Sequence, residues 1–201
     1  METSNIMKPT LFKIGHNVRY ELRDAAGNVK PMFQENRLAR YLIGEKGILS
    51  PHWINSKMAF LMAPFLGKWS TSMNIHNLIT SAGAAGVASR INGSGAEAAF
   101  TYIAVGTGAT AANVSDTTLQ AEIVDSGLAR VAATASRVTT DVTNDSARLT
   151  TTFSVSGTKA VTESGVLNAS SSGVLLARQV FSAVNVVNGD SLAVTWTFDV
   201  D

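Results

Sequence analysis

Four charged side chains fall within stretches patterned as strands or beside them, and they are the first place to look for chemistry: Glu122, Arg130, Glu163 and Arg178. Two carboxylates in apolar surroundings can divide acid and base work, as glycoside hydrolysis requires. The two arginines favour another use. A carboxylate held on a sheet needs donors, and a guanidinium fork supplies two of them in one plane. The expectation is that Glu122 or Glu163 forms a structural ion pair with Arg130 or Arg178, and that the protein is not an enzyme.

Other chemistries lack their residues. The chain has no cysteine, which excludes disulfides, thiolate nucleophiles and cysteine metal sites. His16, His52 and His76 stand apart, without the short spacing that zinc ligation uses, and read as surface or interface hydrogen-bonders. No Gly-x-Ser-x-Gly elbow occurs, so the many serines read as strand-surface polarity. Gly106-Thr-Gly108 lacks the third glycine of a dinucleotide loop and the Lys-Ser/Thr of a phosphate loop. The two glycines read instead as a strand exit, placed where the backbone needs positive φ. No cofactor and no metal are expected.

The elements that position these residues follow from periodicity. From Phe100 to Val105 the chain alternates, with Phe100, Tyr102 and Ala104 on one face and Thr101, Ile103 and Val105 on the other. After Gly106 and Gly108 comes a small-residue loop, and Ser115-Asp116 is expected to cap a short helix over 117–123. Thr80 can cap a helix over 81–91, whose Ala82, Ala85 and Ala88 would allow close approach to a neighbouring surface. Strands are expected over 128–140, 148–155, 160–168 and 174–181. Asn188-Gly189 is a hairpin signal before a strictly alternating last strand, Leu192, Val194, Trp196, Phe198 and Val200 facing one way. Six or seven strands at this spacing predict an antiparallel β-sandwich or jelly-roll-like body with one or two short helices.

Composition divides the chain near residue 76. Residues 1–76 hold ten basic and five acidic residues, residues 77–201 six and ten, giving +5 and −4. All prolines, histidines and methionines lie before residue 77. The first part reads as an extended N-terminal arm, and residues 77–201 as the body. The arm would contain a hairpin, 17–22 and 29–33 around the turn Asp24–Asn28, and a short helix over 37–43 capped by Asn36, with Leu38, Tyr41 and Leu42 on one side. Opposite charge on the two parts favours contact between copies.

From Ile48 to Trp69 no period holds, yet apolar residues abound. Trp53, Phe60, Leu61, Met62, Phe65, Leu66 and Trp69 are candidate interface anchors. Either the segment tucks into its own domain or it docks on a partner. Only 15% of the chain is charged, against roughly 25% in an average domain, as expected of a surface partly covered by other subunits. The longest apolar run, Met58–Leu66, is nine residues and contains Pro64, too short for the ~20 residues of a membrane span. No secretory-signal pattern opens the sequence. A net charge of +1 gives no basic field for nucleic acid.

Several pieces of the second part occur together in order: Asn77-Leu-Ile-Thr-Ser-Ala-Gly83, Phe100-Thr-Tyr-Ile-Ala-Val-Gly-Thr-Gly108, Ser115-Asp-Thr-Thr-Leu119, Val161-Thr-Glu-Ser-Gly-Val-Leu-Asn168, Leu176-Ala-Arg-Gln-Val-Phe181 and Gly189-Asp-Ser-Leu192. Over residues 77–201 the set resembles a family of small virion structural proteins of tailed bacteriophages. It is also similar to the attachment domains of phage tail-collar fibres, which have a comparable glycine-rich strand exit. The resemblance implies a non-enzymatic part of the virion, associated with the tail or with fibre attachment, or alternatively a capsid decoration protein. It implies a homo-oligomer whose other partners are virion proteins. A host surface glycan is a further alternative partner, disfavoured because the body's aromatics fall in core-like alternation.

Overall fold

The computed structural model describes residues 14–200 except Ala96, with the backbone alone at 14–16, 44 and 45. The fold is mainly β, a sandwich of two antiparallel sheets. One sheet runs in the order β2 (Val29–Lys30), β1 (Ile14–Arg23), β13 (Ser191–Val200), β10 (Ser146–Ser154), β9 (Thr134–Val138). Its sixth strand, β5 (Met73–His76), pairs with β1 alongside β2. The other sheet runs β6 (Leu78–Ile79), β12 (Leu175–Val186), β11 (Lys159–Leu167), β7 (Tyr102–Gly106), β8 (Val131–Ala132). A separate ribbon pairs β3 (Met32–Glu35) with β4 (Gly67–Ser70). The helices are α1 (Arg37–Arg40), α2 (Ala59–Leu66) and α3 (Ser81–Asn92).

Alternation puts the core between the sheets. Leu192, Val194, Trp196 and Phe198 of β13 point inward, as do Leu149 and Phe153 of β10. From the facing sheet come Ile103, Val105, Val166 and Phe181. A polar tie crosses this core: the Trp196 indole N–H donates to Ser164 Oγ at 3.3 Å, and that hydroxyl donates to the Ala104 carbonyl at 2.9 Å. Both partners are satisfied, as a buried indole and a buried hydroxyl require.

The expected short helix is present near the N-terminus, and the expected hairpin is present in a shorter form: only Val29–Lys30 returns on β1, and beyond Pro31 the chain pairs with β4 instead. No arm extends from the body among the described residues. The strand β1 lies inside the larger sheet, paired to β13 over its whole length from Ile14↔Val200 to Arg23↔Ser191. Its Val18, Tyr20 and Leu22 belong to the main core, together with Met73 and Ile75 of β5. The composition change at residue 76 is therefore no boundary in the fold. A two-stranded hairpin cannot bury one face by itself, and this one buries it in the sandwich.

Other expectations change for equally local reasons. The stretch 128–140 is two short strands, because β8 joins one sheet and β9 the other. Asn188-Gly189, with Gly189 at φ +88°, likewise carries the chain between sheets instead of closing a hairpin. Residues 117–123 form no helix. The first helix buries Ala39, with Ile43 just beyond it, and leaves Leu38 and Tyr41 exposed. In α3, capped by Thr80 as expected, Gly83 and Gly86 face inward while Ala85 and Ala88 are exposed. A Cβ at Gly83 would stand 2.2 Å from the Leu176 carbonyl oxygen, so only glycine permits this approach to β12.

Deleting residues 1–76 should therefore abolish folding instead of freeing a stable body. The deletion removes Val18, Tyr20, Leu22, Met32, Met73 and Ile75 from the main core. At about 1.5–3 kcal/mol each, their loss is of the order of a domain's whole stability, roughly 5–15 kcal/mol. Residues 77–201 alone should show no cooperative thermal transition by circular dichroism.

Candidate functional site

The strand pattern that carries Ser164 and Val166 into the core turns Glu163, Gly165 and Leu167 to the outer face of the five-stranded sheet. Arg178 faces the same way on the adjacent strand. Both side chains are buried, because the loop 107–121 folds over them. The Glu163 carboxylate takes four donors. Oε1 accepts from the backbone N–H of Gly108 at 3.0 Å and of Ala121 at 2.7 Å. Oε2 accepts from the Gln120 N–H at 3.0 Å and from Arg178 Nε at 2.8 Å. Arg178 then spends its remaining donors on the loop: Nη1 on Asp116 Oδ2 at 2.8 Å, Nη2 on the Thr110 carbonyl at 3.0 Å.

This geometry explains Gly106 and Gly108, though not by backbone conformation, since neither adopts positive φ. A Cβ on Gly106 would lie 2.5 Å from Glu163 Oε1 and 2.6 Å from the Ala121 carbonyl oxygen; on Gly108 it would lie 2.4 Å from the same Oε1. The glycines make room for the carboxylate. Asp116, expected to cap a helix, instead closes the ion pair into a triad. The arrangement holds a loop in place, and a carboxylate saturated by four donors has no lone pair aimed at a substrate.

Glu122 and Arg130 form a second, separate pair. The fork is bidentate, Nε to Oε1 at 2.9 Å and Nη2 to Oε2 at 2.6 Å. Nη1 reaches on to the carbonyls of Ala169 at 3.0 Å and Ser172 at 2.7 Å, fixing the turn between β11 and β12.

The seven apolar anchors divide in two. Trp53 and Leu66 are buried in a second core with Phe33, Ala39, Ile43 and Val180, and Met62 packs against it. For these three the docking reading is corrected: they dock on the outer face of β12 in their own chain. The Trp53 indole N–H donates to Ser182 Oγ of that strand at 2.8 Å. The other four face solvent, Phe60 93% exposed, Leu61 67%, Phe65 72% and Trp69 60%. The cause lies in α2 itself, Ala-Phe-Leu-Met-Ala-Pro-Phe-Leu, which is apolar all round. Only one side of a surface helix can face the core, so the other side is left apolar in water.

Two buried acids had no signal in sequence spacing. Asp190 accepts Lys30 Nζ at 2.7 Å and the Val187 N–H at 2.9 Å. Glu35, between Gln34 and Asn36, accepts the Ser182 N–H with Oε1, while Oε2 has no hydrogen-bond partner among the described residues. Burial raises its pKa above the usual carboxylate value, against the opposing pull of Ser182 and of the Arg40 charge. Of the histidines, His76 lines a cleft beside α1 and His52 sits in a short helical turn; the His16 side chain lies outside the described residues. Among the described residues no cluster of acids and histidines could hold a metal, and no helix is long and apolar enough to cross a membrane.

Two stability predictions follow from these charges. Glu163→Gln places an amide NH₂ against donors at one of its two oxygen positions, which should cost about 3–5 kcal/mol in urea unfolding. The double variant Glu163→Gln/Arg178→Met should cost less than the sum of the singles. For Glu35 the folded pKa lies above the unfolded one, so the folded state binds the proton more tightly. Its contribution is full at and below the ordinary value of 4.5 and falls as pH rises through the raised value. The urea midpoint of Glu35→Gln should therefore gain on the wild type as pH increases from 4.5 towards neutrality.

No protein-family model matches the chain, and neither a curated protein nor a solved structure matches it.

Proposed function

We propose that the protein is a non-enzymatic structural component of a tailed-bacteriophage virion, associated with the tail or with fibre attachment, and that copies associate through the outer face of α2. The observation that carries this is the exposure of Phe60, Leu61 and Phe65 on one short helix, with Trp69 on the strand that follows. A stable monomer rarely leaves such residues together in water. Buried on a partner, each contributes about 1.5–3 kcal/mol, and repetition by symmetry multiplies a modest contact.

The occupant is a second copy of this chain. The face is flanked by exposed Lys57 and Lys68, and exposed carboxylates of a second copy, such as Asp141, can meet these cations at the rim of the contact. The likeness of residues 77–201 to small phage virion proteins supplies the particle. The two saturated ion pairs suit a passive part, since they stiffen loops and leave a firm surface. The alternative within the same class is a capsid decoration protein, which would use the same face.

Sedimentation velocity on the full chain tests the association. The wild type should self-associate at micromolar concentration, and Phe60→Ser/Phe65→Ser should be monomeric with an unchanged melting temperature. A wild type that stays monomeric at hundreds of micromolar refutes association through α2. Gold-labelled antibody against the chain should decorate purified phage particles at the tail; label confined to the capsid would favour the decoration reading.

A further inference from the structure

Where the chain passes from β5 in one sheet to β6 in the other, it crosses a cleft of about 640 Å³. Arg37 and Arg40, one turn apart on α1, stand on one wall. Neither guanidinium has a hydrogen-bond or ion-pair partner among the described residues, although the Arg40 charge is felt by buried Glu35. His76, Asn77, Asn113 and Gln179 supply the other polar side chains of the lining, and the rest of it is apolar. Asn77 is 6% exposed, and among the described residues neither its side-chain oxygen nor its side-chain nitrogen has a partner. Two unmatched polar atoms at a buried position cost about 1–3 kcal/mol each. A ligand that entered the cleft and bonded to both atoms would remove this cost.

We propose that this cleft binds an extended acidic peptide segment of a neighbouring virion protein. The inference rests on the assembly role above and gives the chemistry of one heterologous partner. A carboxylate matches Arg37 and Arg40, whose planar donors engage both oxygens of an Asp or Glu side chain. Asn77 decides between a peptide and a simple anion. Its primary amide offers a donor and an acceptor side by side, and a backbone peptide group returns one of each. Phosphate would satisfy the arginines and leave the Asn77 donor and acceptor without a matched pair. The volume falls within the range that houses ligands of several residues, well above what a free ion fills. Asn77 directly precedes β6, which is the edge strand of its sheet and pairs with β12 over two residues, and a sheet edge is where an extended peptide can add.

A displayed library of random peptides, panned on the full-length protein, tests the proposal. The expected result is enrichment of sequences with Asp or Glu at one fixed position. A selected peptide should lose at least tenfold in affinity with Arg37→Ser/Arg40→Ser, whose exposed and half-buried side chains can be removed without disturbing the core. It should lose at least tenfold again with Asn77→Leu, and Asn77→Ser serves as the second variant if Leu does not fold. Selection without acidic enrichment overturns the proposal. So does binding that ignores Asn77 and is fully displaced by millimolar inorganic phosphate, which would make the cleft an anion site. Self-association through α2, read separately by sedimentation, is independent of these results, so a failed assembly role and a failed cleft are told apart.

Discussion

The buried pair Glu163–Arg178 is the interaction on which the outer layer of the molecule depends. Both ions are inside, 0% and 2% exposed, and Coulomb attraction alone does not offset the removal of two charges from water. What offsets it is the number of hydrogen bonds each ion makes to the loop above. Three backbone N–H groups reach the carboxylate, and Asp116 with the Thr110 carbonyl reaches the guanidinium. The loop needs the pair as much as the pair needs the loop. Residues 107–121 hold no helix or strand, so their buried amides would otherwise be orphaned. Gln120 continues the arrangement outward, its carbonyl oxygen accepting from Ala109 and Thr110 at 2.7 Å each.

That dependence explains why β12 is buried on both faces along nearly its whole length. One face meets the sandwich core through Phe181. The other is covered in two instalments: the 107–121 loop lies over Arg178, and the segment from β3 to β4 lies over Val180 and Ser182. The chain before residue 76 thus performs two structural tasks. It completes one sheet with β1 and β5, and it roofs the other with the second core around Trp53. Neither task leaves it free to detach, and what it does not use for the fold is the outer side of α2 and the arginine wall of the cleft beside α1.

The body was legible wherever one periodicity acted alone. The alternation of β13 is strict because one face is core and the other is water, so its strand can be read directly. The acidic and basic strand residues were legible as a set, since isolated charges in β-branched surroundings must find each other. The loop that receives them was not. The sequence Ser-Asp-Thr-Thr-Leu has the form of a helix cap, and the competing demand on Asp116, a guanidinium from a residue 62 positions later, leaves no local trace. The N-terminal segment misleads for a related reason. Its charge and its Pro, His and Met content describe its surface and its roof over β12, whereas its place in the sheet is set by pairing with β13, at the far end of the chain. Composition reports what a segment exposes, and register depends on a partner that composition does not name.

The apolar segment carries more apolar surface than its place in the fold uses. A helix whose only duty was to roof the second core would need apolar residues at Ala59, Met62, Ala63 and Leu66, the positions that pack inward. Polar residues at positions 60, 61 and 65 would serve that duty equally well and would keep the helix soluble. Phe60, Leu61 and Phe65 therefore contribute nothing to the fold that requires their apolar character. Pro64, inside the helix, costs it a hydrogen bond because its ring nitrogen carries no proton to donate. The helix backbone is already seated on the second core, so the conformational cost of covering Phe60 and Phe65 is that of ordering their side chains.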